Sequence, residues 1–166
     1  AEPGKEIKYL NQTVQDTLAY AQTMKGAYVK MIIPGLEQLR DEVPLGINKA
    51  RLLLPVYVND HDFPEENLPE YVYARRDSAG IKYIISDYQM QVGSGSGVTM
   101  ADGSYDKVDN TYTINISNFV QRYLEGEISE PEIELFIPEL GFNNLILRTG
   151  EGSAGIKFEL VYTDMK

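Results

Sequence analysis

Tyr112-Thr-Ile-Asn-Ile116 runs into Ser117-Asn-Phe-Val-Gln-Arg-Tyr-Leu-Glu125 and, past Gly126, into Glu132-Ile-Glu-Leu-Phe-Ile137, and the reading of this stretch decides the fold. Its first part alternates large apolar and polar residues, the period-two signature of a half-buried strand. Phe119, Val120, Tyr123 and Leu124 then recur at helical spacing, which makes an apolar stripe on one face of a short helix. Ser117 is the expected N-cap, its hydroxyl accepting from an orphan amide at position 119 or 120, and Gly126 the expected left-handed stop. A lone helix between strands predicts an all-β domain whose helix plugs one end of a β-sandwich. A partner-binding helix would carry the same stripe.

Working outward, Thr17 to Thr23 and Ala27 to Ile33 alternate like strands, with Lys25-Gly26 as a hairpin turn between them. Pro34 halts the second, and Gly35 to Asp41, with Leu36 and Leu39 three apart, suggests about two turns of helix on the sandwich edge. Ile47 to Val58 is the longest strand, with Asn48, Ala50, Leu52, Leu54, Val56 and Val58 inward. Pro55 within it cannot donate to a ladder and marks a bulge or an edge. Tyr71 to Arg76 and Lys82 to Ile85 are strands joined by the turn Asp77-Ser-Ala-Gly80, and Gln91 to Ser104 has the composition of a mobile surface loop. Asn144 to Thr149 and Gly155 to Tyr162 complete the set. Roughly eight strands with short turns and no repeating βα unit predict an antiparallel jelly-roll-like β-sandwich with one or two short helices. Residues 1–16 form an N-terminal extension and 17–166 a single domain.

Composition narrows the function. The 166 residues are 43% hydrophobic and 24% charged, with no apolar run approaching a transmembrane helix. The first residues lack the basic start and apolar core of a signal peptide, so any export signal is expected to have been removed or never present. No cysteine is present, which removes disulfides, thiolate metal sites and cysteine nucleophiles. A net charge of −10 repels phosphate backbones and anionic lipid, so nucleic acid and membrane surfaces are poor partners, whereas a neutral partner or a cation fits better.

Three groups could form sites. Tyr71 and Tyr73 alternate onto one face with Arg75, and Tyr57 lies opposite the apolar set of its own strand. Such rings beside a guanidinium could stack on a sugar while polar groups fix its hydroxyls, although tyrosine is also a favoured strand residue. Asp102, Asp106 and Asp109 offer oxygen ligands suited to calcium, without EF-hand spacing, and acidic turn residues also serve solubility. Asp60, His61, Asp62, Glu65 and Glu66 form an acidic loop around the single histidine, with no nucleophile elbow and no second imidazole for zinc. Gly93-Ser-Gly-Ser-Gly97 lacks the lysine-serine pair and strand–helix context of a phosphate-binding loop. No catalytic residue and no obligatory cofactor emerges.

The order of motifs resembles the C-terminal half of the DUF4270 family of Bacteroidota cell-envelope lipoproteins. The resemblance rests on Ile47-Asn-Lys-Ala-Arg-Leu-Leu-Leu54, Tyr71-Val-Tyr-Ala74, Tyr105-Asp106 leading to Tyr112 through Gly126, Leu145-Ile-Leu-Arg-Thr-Gly150 and Ile156-Lys-Phe-Glu-Leu-Val-Tyr162. The strand, the helix and the paired final strands are also similar to exported jelly-roll modules of the DNRLRE type. It implies export to the outer-membrane surface or periplasm and a jelly-roll sandwich, and it brings no catalytic residues. Lacking an N-terminal lipidated cysteine, the chain would be a trimmed fragment or a non-anchored relative. The expected function is a non-catalytic module that binds a glycan or other neutral ligand. A structural, adhesion or assembly domain that binds another envelope protein is the alternative, and a glycoside-active enzyme comes third.

Overall fold

The computed structural model describes residues 18–23, 27–33, 35–42, 44–59, 64–89, 102–137, 143–150 and 154–165, and among them are ten strands, three short α-helices and a single 3-10 turn at Glu65–Asn67. The strands are β1 (Leu18–Gln22), β2 (Val29–Ile32), β3 (Leu45–Pro55), β4 (Tyr73–Ser78), β5 (Ile81–Ile84), β6 (Asp102–Asp106), β7 (Thr111–Asn115), β8 (Glu132–Phe136), β9 (Asn144–Arg148) and β10 (Lys157–Asp164). The helices are α1 (Leu36–Arg40), α2 (Ser86–Gln89) and α3 (Ser117–Leu124). All pairing is antiparallel, in three sheets ordered β1-β9, β10-β3-β7-β6 and β2-β8-β4-β5. Alternation along most strands turns their apolar residues to one side, whereas Leu145, Ile146 and Leu147 of β9 are all buried and β5 is exposed throughout. Leu52, Leu54, Tyr112 and Ile114 of one four-stranded sheet and Ala74, Ile133 and Leu135 of the other are buried in the same hydrophobic cluster. No described helix is long and apolar enough to cross a membrane.

β3 organises its sheet because its neighbours change along its length. β10 pairs with residues 45–53, but the register skips Asn48, so that Val161 faces Lys49 and Tyr162 faces Ile47. This bulge reverses the inward set. Leu45 and Ile47 pack toward the core before it and Ala50, Leu52 and Leu54 after it, while Asn48 is exposed and donates to Thr163 Oγ1 at 2.8 Å. The inward position expected for Asn48 is thus corrected.

On its other side β3 pairs with β7 only from Arg51 to Pro55. Nearer its start, α3 takes the place of the missing strand. Ser117 and Gln121 lie four apart on one helix face, and their side chains satisfy the strand's backbone. Ser117 Oγ accepts from the Ala50 amide at 2.8 Å, Gln121 Oε1 accepts from the Ile47 amide at 2.9 Å, and Gln121 Nε2 donates to the Leu45 carbonyl at 3.2 Å. The apolar stripe of Phe119, Val120, Tyr123 and Leu124 is buried as expected.

Ser117 is therefore not the N-cap. Ile116 occupies that position without a side-chain cap, and Asp87 of α2 supplies the acceptors, its two oxygens taking the Asn118 and Phe119 amides at 2.8 and 2.9 Å. Asp87 is buried, and that burial raises its pKa although the two helix amides pull the other way.

Two further expectations change. Lys25-Gly26 lies outside the described residues, and the strands it would join pair elsewhere, β1 with β9 and β2 with β8. Asp102-Gly-Ser104, expected within a loop, begins β6 instead. Gly103 is left-handed there, at φ +82°, and its carbonyl accepts from the Val72 amide at 2.9 Å. The rest of that loop, Gly93 to Gly97 included, lies outside the described residues, as do residues 1–16.

Candidate functional site

Pro55 explains a concavity on the outer face of β3. Val56 donates its amide toward β7, to the Asn110 carbonyl at 2.9 Å, so alternation turns the position of Pro55's missing N–H to the opposite side of β3. There β10 has already ended opposite Leu53, and β9 takes over one step later through the Val56–Leu147 bridge and the Tyr57 amide, which donates to the Ile146 carbonyl at 2.8 Å. A residue with nothing to donate sits at the change of partner, which is the edge expected for it.

The gap between β9 and β10 opens into a groove of about 530 Å3. Its floor is Leu53, Pro55 and Val56, with the Thr111 and Thr113 side chains of β7 beside them. Arg148, at the end of β9, and Lys157, at the start of β10, flank one side, and Asp106, Asp109 and Asn110 of the β6–β7 turn form the other.

That turn is fixed by its own hydrogen bonds. Asp106 Oδ1 accepts from the Val108 amide at 2.8 Å, Asn110 Oδ1 accepts from the Tyr105 hydroxyl at 2.6 Å, and Thr111 Oγ1 donates to the Asp109 carbonyl at 3.0 Å. Arg148 is held from two sides. Its Nε donates to the Val56 carbonyl at 3.4 Å, and its guanidinium carbon lies 5.0 Å above the centre of the Tyr57 ring. An apolar floor ringed by oriented donors and acceptors suits a ligand with alternating apolar and hydroxylated faces.

Tyr57, Tyr71, Tyr73 and Arg75 do not form one platform. Tyr73 and Arg75 share the outer face of β4, and both are engaged. The Tyr73 ring stacks on Tyr88 at 5.0 Å and lies 6.0 Å from Phe136. Arg75 Nε donates to Glu134 Oε2 at 2.9 Å, with its guanidinium 4.8 Å from the Phe136 ring and 5.1 Å from the Tyr28 ring. Lys82 joins the buried Glu134 to Asp77, and these two contacts raise its pKa. Tyr71 precedes β4, bridges Ser104, and has its hydroxyl pKa raised, chiefly by the negative charge of Glu70. Tyr57 lies beside β9, under Arg148.

Asp102 and Asp106 stand at opposite ends of the bulged β6, facing Ile114 and Thr111 of β7 and so roughly 10 Å apart at the usual strand rise, and they do not meet on one ion. Asp102 Oδ1 turns onto its own neighbour, accepting from Ser104 Oγ at 2.5 Å, whereas Asp106 and Asp109 share the groove rim. Among the described residues no group of three acidic or imidazole side chains comes together as a metal set. Asp60, His61 and Asp62 lie outside the described residues, and Glu65 and Glu66 form an exposed single turn, with Glu65 3.9 Å from Lys107.

Arg148, Lys157, Thr111 and Thr113 were not singled out from the sequence. Each looks like an ordinary outward residue of an alternating strand, and only Pro55 signals locally that a ladder is interrupted beside them. No family model matches the chain, and a search of curated proteins finds no match.

Proposed function

We propose that this chain is a non-catalytic, glycan-binding module of the bacterial cell envelope, with its ligand in the groove between β9 and β10. The observation that carries the reading is the groove itself. Its apolar floor of Leu53 and Pro55 can face the C–H side of a sugar ring, while Thr111, Thr113, Asn110 and the flanking charges meet hydroxyls. Tyr57 contributes by holding Arg148 in place. Asp106 and Asp109 are exposed and lack the apolar enclosure that a glycosidase gives its acid, which supports binding over hydrolysis. The motif order supports an exported jelly-roll sandwich of the DUF4270 kind, and the shared core of the two four-stranded sheets is compatible with it.

Screening on a glycan array followed by calorimetry tests the reading. Saccharide binding that weakens in Thr113→Val and Arg148→Ala but persists in Tyr71→Ala supports it. Failure to bind any saccharide, or undiminished binding in both groove variants, removes it.

One observation favours the assembly alternative. β5 pairs only with β4 among the described residues, and all four of its residues are exposed, with Ile81 at 56% and Tyr83 at 43%. Such an edge can accept a strand from an envelope protein. Ile81→Lys would then abolish co-purification of that protein, and a strictly monomeric particle with no partner would exclude the alternative.

A further inference from the structure

We infer that the groove recognises an acidic sugar: a saccharide whose carboxylate, as in a uronic acid, is gripped by Arg148 with help from Lys157. The inference rests on the glycan-binding reading and narrows it. The chain carries 25 acidic residues against 15 basic ones, so cations are in short supply and carboxylates are at hand nearly everywhere. Lys30, Arg51, Arg75, Lys82 and Arg122 each lie within 2.9 Å of a carboxylate. Arg148 and Lys157, like Arg40, Lys49 and Arg76, have no carboxylate that close among the described residues, although Lys157 is near enough to Glu159 to help lower its pKa; of these cations Arg148 and Lys157 line the groove.

Arg148 is also oriented. The Val56 carbonyl lies 3.4 Å from its Nε and the Tyr57 ring lies under its guanidinium, which leaves the terminal Nη groups for a ligand. A planar guanidinium fork matches the two oxygens of a carboxylate, and a lysine adds a mobile point charge. The opposite rim sets a limit. Asp106 and Asp109 disfavour a second negative charge, which favours a single carboxylate flanked by neutral hydroxylated rings over a phosphate dianion or a dense polyanion. The Thr113 hydroxyl, the lone pairs of Thr111 Oγ1 and the Leu53–Pro55 floor remain for the ring that bears the acid.

Calorimetry with the whole chain distinguishes this inference from the broader one. The probes are a glucuronate-containing oligosaccharide, its methyl ester and the corresponding neutral glucose oligosaccharide. The acid should bind at least about tenfold more tightly than its ester, the scale of a charge-assisted hydrogen bond. Arg148→Ala should erase that difference by weakening the acid far more than the ester, and Arg148→Lys, which keeps the charge without the fork, should retain part of it. Equal affinity for acid and ester overturns the inference and leaves glycan binding intact. Tighter binding of a sugar phosphate than of the uronate also overturns it. Failure of all three saccharides to bind overturns the inference, and the glycan array then decides the broader reading.

Discussion

Replacing Asp87 with alanine tests how this fold holds its main helix. Asp87 lies thirty residues before α3 and closes it by accepting the Asn118 and Phe119 amides at 2.8 and 2.9 Å. Phe119 is wholly buried and Asp87 nearly so, at 4% exposure, so water does not readily replace the lost acceptor. Leaving the buried Phe119 amide unsatisfied costs about 1–3 kcal/mol and the half-buried Asn118 amide about 1 kcal/mol, and removing a negative charge from a helix N-terminus adds about 0.3–1 kcal/mol. Against this stands the cost of burying the carboxylate, visible in its raised pKa, which the alanine variant no longer bears.

The net destabilisation of Asp87→Ala is expected to be about 2–4 kcal/mol, a large share of the roughly 5–15 kcal/mol that stabilises a domain. Asp87→Asn keeps one carbonyl acceptor and should lose about 1 kcal/mol. Ser117→Ala, which orphans the Ala50 amide on β3, should also lose about 1 kcal/mol. Urea unfolding of the three variants, with comparable m-values, gives the ranking. Asp87→Ala within about 0.5 kcal/mol of wild type, or Ser117→Ala the more damaging change, would refute the assignment of Asp87 as the cap.

Three further outcomes are expected. A Cβ at Gly103 would lie 2.3 Å from the Val72 carbonyl oxygen at φ +82°, whereas one at Gly80, at φ +84°, meets nothing within 4 Å. Gly80→Ala should therefore cost about 1–2 kcal/mol from backbone strain alone, and Gly103→Ala clearly more, as read by thermal unfolding. In NMR carboxyl titrations Asp77, lowered chiefly by its hydrogen bond from Lys82, and Glu159, lowered chiefly by that from Arg51, should titrate below the ordinary range, and Asp87 above it. The two ion-paired acids thus add stability that is present above their unfolded pKa values and lost as pH falls through their folded ones. Asp87 has the opposite sign, so the advantage of wild type over Asp87→Asn should shrink as pH rises through its raised pKa.

Much of the strand and helix content was legible because it depends on local periodicity. The α3 stripe, the Gly126 stop and most strand cores lie where alternation puts them. Pairing is a different kind of information. Nothing within residues 17–33 states that β1 and β2 leave for different sheets, and alternation in β3 cannot reveal a bulge at Asn48 that is defined by the register of β10. Ser117 has the side chain of a cap but is drawn to β3, because Asp87 reaches the same amides from a remote helix. Gly103 looked like loop composition, although its lack of a side chain serves a close backbone approach. The groove was hidden for the same reason. Arg148 and Lys157 become neighbours only where β3 exchanges β10 for β9, and Pro55 was the one local sign of it.

The most direct test of the groove as the ligand site is an amide chemical-shift titration of the assigned protein with the glucuronate oligosaccharide. Saturable shifts should concentrate at Leu53, Val56, Asn110, Thr111, Thr113, Arg148 and Lys157, with Tyr73, Arg75 and Lys82 on the other sheet unmoved. Shifts confined to the Tyr73–Arg75 face, or none at ligand concentrations that saturate binding, would contradict it.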